Sequence, residues 1–204
     1  YVVNASSEEG RLAVNGMSYS GRNGKNSNSA VIVTVTPDDF ESENPLSGVA
    51  FQRKLEEKAY RAGQGKIPVE RYGDFKEAVT GEIKTPSALA REYPDFLPEI
   101  KGGWIFSPVH EILPEALNRA FVEGMEQFGK KLPGFSDSGV YLSGIESRTS
   151  SPVRIHRDDT GQSAVRGLYP CGEGAGYAGG IMSAAMDGML TAEKIAMKFS
   201  DMGK

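Results

Sequence analysis

Tyr169-Pro170-Cys171-Gly172-Glu173-Gly174-Ala175-Gly176-Tyr177-Ala178-Gly179-Gly180-Ile181 is the stretch on which the fold turns, with five glycines in the nine residues from Gly172 to Gly180. A short apolar run, Gly167 to Cys171, precedes the glycines, and a helical pattern from Gly179 to Phe199 follows them. The expected order is strand, glycine turn, helix. A helix N-terminus leaves backbone N–H groups unpaired and carries about half a positive charge, so it suits an anion. Glycine lets a phosphate or an aromatic ring approach the backbone with no Cβ in the way.

Two motifs can be tested on this run. A Walker loop needs Lys and then Ser or Thr after its last glycine, but Gly180 is followed by Ile181 and Met182, which excludes it. Gly174-Ala175-Gly176-Tyr177-Ala178-Gly179 matches G-x-G-x-x-G, yet the dinucleotide fingerprint also needs a second strand with an acidic residue about 20 positions on. The chain stops at Lys204, too soon for that strand. Two readings stay open. The turn and helix close a ligand site whose main part lies upstream of Tyr1, or the small residues Ala178, Gly179, Gly180, Ala184, Ala185 and Gly188 let the helix pack tightly with no ligand.

Working outward, the 204 residues contain 25 glycines, about 12% against a usual 7% or so. Lys and Arg number 23 and Asp and Glu 27, a formal charge of −4, which gives no basic surface for nucleic acid. No apolar run approaches the roughly 20 residues needed to span a bilayer. The single cysteine, Cys171, excludes an internal disulfide and points to a reducing, cytoplasmic setting. The chain begins at Tyr1 without a signal-peptide pattern, which leads us to expect a fragment of something longer.

Tyr1 to Ala5 and Leu12 to Val14 read as short strands, the second ended by Asn15-Gly16. Ser18 to Ser29 reads as an exposed loop, and Ala30 to Val35, a continuous β-branched run ended by Pro37, as a strand covered on both faces. Ser47 can cap a helix with Phe51, Leu55, Ala59 and Ala62 on its apolar stripe and Arg53, Glu56, Glu57 and Lys58 on its wet faces. Five of the 11 prolines fall between Pro86 and Pro114, so an irregular connection is expected there. Pro114 can open a second helix, with Leu117, Phe121, Met125 and Phe128 as its stripe. Strand signals return in Val140 to Ile145 and in Val153 to His156, and a boundary is expected near residue 135.

The glycine run, continued by Ser183-Ala184-Ala185-Met186-Asp187-Gly188, resembles the C-terminal FAD-binding segment of a family of bacterial FAD-dependent dehydrogenases (NAD(P)/FAD-dependent oxidoreductases). Val3-Asn4-Ala5-Ser6-Ser7-Glu8, Asn15-Gly16-Met17-Ser18 and Glu146-Ser147-Arg148-Thr149-Ser150-Ser151-Pro152-Val153-Arg154 carry the same resemblance. It implies an α/β fold: a mixed α+β cap or substrate domain over residues 1–135, and over 136–204 the closing strand and helix of a Rossmann-like FAD-binding domain. It implies FAD as cofactor, held by Gly172, Glu173, Gly174, Ala175, Gly176, Tyr177, Gly179, Gly180 and Ile181. Glu173 would approach the ribityl and pyrophosphate region. Gly179, Gly180 and Ile181 would turn N–H groups toward the pyrimidine edge of the flavin, where negative charge grows on reduction. The intact protein would be an oxidoreductase moving hydride or electrons between FAD and a small-molecule substrate or electron acceptor that the sequence does not name, with NAD(P)H a candidate co-substrate; the segment alone would be inactive.

Arg148, Thr149, Ser150, Ser151 and Arg154 form a polar cluster suited to a carboxylate or phosphate, and the resemblance singles out Arg148 and Ser151 for substrate or flavin contact. Solvation of a loop explains the same cluster. Arg22, Lys25, Asn26 and Asn28 could meet a phosphate, but a solvated loop is the simpler reading. His110 and His156 lack partners at metal-ligand spacing, so no metal site is expected. Cys171 reads as a small core residue at the end of a buried strand rather than a redox thiol. The rival to the enzyme reading is a non-catalytic cap or interaction module that binds no flavin.

Overall fold

Short runs of β-branched and aromatic residues, too brief to stand alone, build two three-stranded sheets by pairing across the chain. The computed structural model describes residues 1–5, 7–40, 42–81 and 97–201. β1 (Val2–Asn4) lies between β2 (Val14–Gly16), antiparallel with Val3 opposite Asn15, and β4 (Ile100–Lys101), parallel with Val3 opposite Lys101. In the second sheet β3 (Ile67–Arg71) is central, parallel to β5 (Trp104–Phe106) and antiparallel to β6 (Tyr141–Ser143). With helices α1 (Ser47–Gly63), α2 (Tyr72–Thr80), α3 (Glu115–Lys131) and α4 (Ile181–Asp201), the fold is mixed α/β.

The chain divides into two compact units, one of residues 1–36 and 52–147, the other of 37–51 and 148–204. Both sheets belong to the first, including β6. Its core gathers Leu12 and Val14, Leu55 and Ala59 of α1, Ile67 and Val69 of β3, Tyr72 and Phe75 of α2, and Leu117, Val122 and Met125 of α3, all buried. These helices follow the ordinary rule: apolar residues at helical spacing face inward. Phe121 stacks on Phe75 at 5.2 Å between ring centres, whereas Phe128 lies outside the core.

Several expectations need correction. Ala30 to Val35 forms no strand: among the described residues it pairs with no neighbour, and Ile32 is 66% exposed. A β-branched run specifies extended backbone but cannot supply its own ladder partner. Glu56 is not on a wet face; it is buried, accepting a 2.6 Å hydrogen bond from the Ser147 hydroxyl, which makes the burial tolerable. Residues 153–156 and 167–171 also form no strands. Their hydrogen bonds go elsewhere: Ile155 N–H to the Ala175 carbonyl, and the carbonyls of Leu168 and Pro170 to Ser163 N–H and the Arg157 guanidinium. Pro86 and Pro94 lie outside the described residues, and the later part of the expected irregular connection contains β4 and β5.

β3 and α2 have no counterpart in the sequence reading. Pro68 and Glu70 interrupt the apolar pattern of β3, and proline in a central strand is unusual because it donates nothing to the ladder. Glu70 is nonetheless satisfied: it accepts the His110 backbone N–H at 2.9 Å and meets His110 Nδ1 at 2.7 Å. The loop of residues 18–29 is tied back through Asn26, whose N–H donates to the Glu99 carboxylate, and Asn28, whose side chain donates to the Met17 carbonyl.

Candidate functional site

Within the second unit, the glycine turn gets its shape from two nested backbone hydrogen bonds. Tyr177 N–H donates to the Gly172 carbonyl at 3.0 Å, and Gly176 N–H to the Glu173 carbonyl at 2.9 Å. This is the bond pair that commonly ends a helix, and it needs a left-handed residue where Gly176 stands, with φ +83°. A Cβ there would also lie 2.5 Å from the Val153 carbonyl oxygen. Gly176 is therefore glycine for the turn's own sake.

Gly174, Gly179 and Gly180 have no such reason. None has left-handed backbone; a Cβ on Gly174 or Gly179 would meet nothing within 4 Å among the described residues, and one on Gly180 only the Ser183 hydroxyl at 3.6 Å. Gly188, inside α4, is equally open, although glycine in a helix interior costs about 1 kcal/mol relative to alanine. Bare backbone here serves nothing that the described residues supply.

The turn is anchored to α4 by a pair of charges that sequence reading passed over. Asp187 accepts from Arg157 through both oxygens, at 2.5 and 3.0 Å, and from Gly172 N–H at 2.8 Å. Both side chains are only 15% exposed. The Arg157 guanidinium and then the Gly172 N–H hold the Asp187 carboxyl below its ordinary value, and Asp187 in turn holds Arg157 protonated more firmly than usual. Arg157 also donates to the Pro170 carbonyl at 2.8 Å and lies over the Tyr177 ring, 3.6 Å from its centre. The only sequence cue to the pair was Asp187 as the one charge in the first half of the helix; Arg157, 30 residues away, has no spacing that links it to Asp187.

The remaining expected site residues fall as follows. Ser151 ties the preceding segment to the turn, its hydroxyl reaching the Gly174 carbonyl at 3.1 Å and the Val153 carbonyl at 2.9 Å. Tyr177 donates its hydroxyl to the Ile155 carbonyl and lies beneath Arg154 as well as Arg157. Ala175 is buried, while Glu173, Gly179, Gly180, Ile181 and Arg148 are exposed. Cys171 is exposed too, which corrects its reading as a core residue: no strand forms there to bury it. Among the described residues, no group of three or more His, Cys, Asp and Glu is placed to hold a metal.

The sides of α4 are inverted relative to an ordinary surface helix. Its inward stripe is Ala184, Asp187, Thr191 and Ile195, with the Thr191 hydroxyl donating to the Asp187 carbonyl at 2.8 Å. Met182, Met186, Met189, Leu190 and Met197 are each more than half exposed. Burying such a side chain is worth about 1.5–3 kcal/mol, so a contiguous row left in water marks a surface shaped for contact. No helix among the described residues is long and apolar enough to cross a membrane.

These features describe a mixed α/β protein with an open glycine turn set before a helix N-terminus. Comparison with known proteins carries the assignment one step further. The profile of the family described as FAD-dependent protein, C-terminal domain-like matches residues 1–149, and the chain belongs to that family. An uncharacterized protein of Clostridium beijerinckii is 46% identical over 202 residues, covering 97% of this chain. The chain spans 36% of that relative's length. The glycine turn lies beyond the family match but inside the stretch shared with the relative.

Proposed function

We propose that this chain is part of an FAD-dependent oxidoreductase, with the first unit serving as cap or substrate domain and the second returning to complete a Rossmann-like FAD-binding domain. The observation that carries the reading is the open space at Gly174, Gly179 and Gly180, where neither backbone strain nor packing calls for glycine. Membership of an FAD-dependent family supports it, as does the uncovered apolar side of α4, suited to a further part of a longer polypeptide.

The residues present fit such a cofactor. Gly172 to Tyr177 form a hydrogen-bonded turn, Gly174 and Gly179 leave room for close approach, and the first N–H groups of α4 have no partner within the helix. The Gly180 N–H is engaged by the Ser183 hydroxyl at 3.1 Å, which leaves those of Gly179 and Ile181 as the nearer candidates for the flavin edge. When bound, FAD supplies hydride or electron transfer. The chain's part is to bind and orient it and to place the positive end of the α4 dipole beside it. Arg148, exposed near the turn's supporting segment, is the candidate contact for a substrate or for the flavin; the substrate is a small molecule, NAD(P)H is the candidate second partner, and the setting is the cytoplasm.

The test is whether the full-length protein purifies with bound flavin while the 204-residue chain does not bind FAD tightly on titration. A colourless full-length protein that gains no thermal stability from added FAD would favour a non-catalytic interaction module. Tight FAD binding by the 204-residue chain would overturn the proposed division of labour.

A further inference from the structure

The Asp187–Arg157 pair does more than join two segments. Asp187 takes one hydrogen bond from the turn itself, at Gly172 N–H, and two from Arg157, which also holds the Pro170 carbonyl just before the turn and covers the Tyr177 ring just after it. The start of the glycine turn thus meets the Asp187 carboxylate in the second turn of α4, and its approach and end meet the Arg157 that this carboxylate holds. We propose that Asp187, aligned by Arg157, is a positioning residue: it holds the turn in its ligand-ready shape, so that affinity for FAD at the turn depends on this ion pair. The proposal rests on the flavin reading above.

The geometry states what each partner contributes. The carboxylate has two oxygens; Oδ1 is given to Arg157 alone, and Oδ2 is shared between Arg157 and Gly172 N–H. Replacing Asp187 with Asn removes the charge and turns one acceptor oxygen into a donor, so the Gly172 N–H and the guanidinium must compete for the single oxygen that remains. Hydrogen bonds to charged groups contribute about 1.5–3 kcal/mol each, so losing one should raise the turn's opening equilibrium by about tenfold or more. Arg157→Lys keeps the positive charge without the planar fork and should produce a smaller effect.

Two measurements separate this inference from the reading beneath it. The first, hydrogen exchange of the Gly172, Gly176 and Tyr177 amides in the 204-residue chain, involves no flavin. Asp187→Asn should accelerate these amides about tenfold or more, Arg157→Lys less, and Met186→Ala, on the exposed side of the same helix, not at all. In the double variant Asp187→Arg, Arg157→Asp, opposite charges remain but Gly172 N–H has no acceptor on α4, so exchange should stay fast. Unchanged exchange in Asp187→Asn, or full rescue by the double variant, overturns the positioning role. The second measurement is FAD titration of the full-length protein, where Asp187→Asn should weaken binding about tenfold. Faster exchange with unchanged FAD affinity overturns the coupling. If Gly180→Val then also leaves flavin content unchanged, the fault lies in the flavin reading; if Gly180→Val abolishes it, the fault is in the coupling alone.

Discussion

The two units of this chain use the same kinds of residue in opposite ways. In the first, α1 and α3 turn Leu55, Ala59, Leu117, Val122 and Met125 inward, with Glu56 and Asn118 as buried polar exceptions. In the second, α4 turns Asp187 and Thr191 inward and leaves four methionines and a leucine in water. The first unit is held by apolar burial, the second by directed polar bonds around one ion pair. In the second unit, bare glycine backbone and an apolar helix side lie open among the described residues, and it is on this difference from the first unit that the flavin proposal rests.

The largest test of that contrast is in the first unit. Phe75, buried against Phe121, should cost about 3–5 kcal/mol when replaced by alanine, read from denaturant unfolding. A loss below about 1 kcal/mol would show that this core is not what holds the unit. The next effect belongs to the second unit. Gly176→Ala forces a side chain into left-handed backbone and against the Val153 carbonyl, and should cost about 1–3 kcal/mol. Gly174→Ala, two residues earlier, should cost the chain almost nothing.

Opposite responses to pH sharpen the same comparison. Burial, and then its 2.7 Å hydrogen bond to Glu126, pushes the Tyr72 phenol well above its ordinary 10.0. A raised pKa gives stability that is full below the unfolded value, so the first unit should weaken as pH rises beyond 10.0. Asp187 is the reverse case: its lowered pKa gives stability that is present above 3.8 and lost as pH falls below it. Amide spectra followed through both ranges should show β3 and α2 signals moving in alkali and Gly172 signals in acid. Although burial opposes it, hydrogen bonds from Tyr72 and Lys76 hold the Glu126 carboxyl low and give the first unit an acid response of its own, so it is movement of both regions together in alkali that would contradict separate anchoring. The smallest effect is Met186→Ala, which should change the stability of the 204-residue chain by less than about 0.5 kcal/mol, because the side chain is exposed.

How much of this could be read from the sequence depended on whether an element's reason was local. α1, α3 and α4 announce themselves by apolar spacing, and their ranges match expectation closely. β1 and β6 were legible as β-prone runs. β3 was not, because Pro68 and Glu70 break its pattern and the partner that makes Glu70 acceptable, His110, is 40 residues away. The error at Ala30 to Val35 was the converse: the residues favour a strand, but ladder pairing is a property of neighbours. At the site, glycine content pointed correctly to an unusual turn yet could not sort Gly176, required by the turn, from Gly174 and Gly179, which the turn does not need. Arg157 and Asp187 were illegible for the same reason as β3 and His110: their meaning is a contact across the chain.

The central claim is that the open glycines are kept for a flavin. The most direct measurement is the flavin content of the full-length protein carrying Gly180→Val, set beside the thermal stability of the 204-residue chain with the same change. We expect the full-length protein to lose most of its bound flavin while the chain's stability stays within about 0.5 kcal/mol of wild type. Undiminished flavin in the full-length variant would contradict the account.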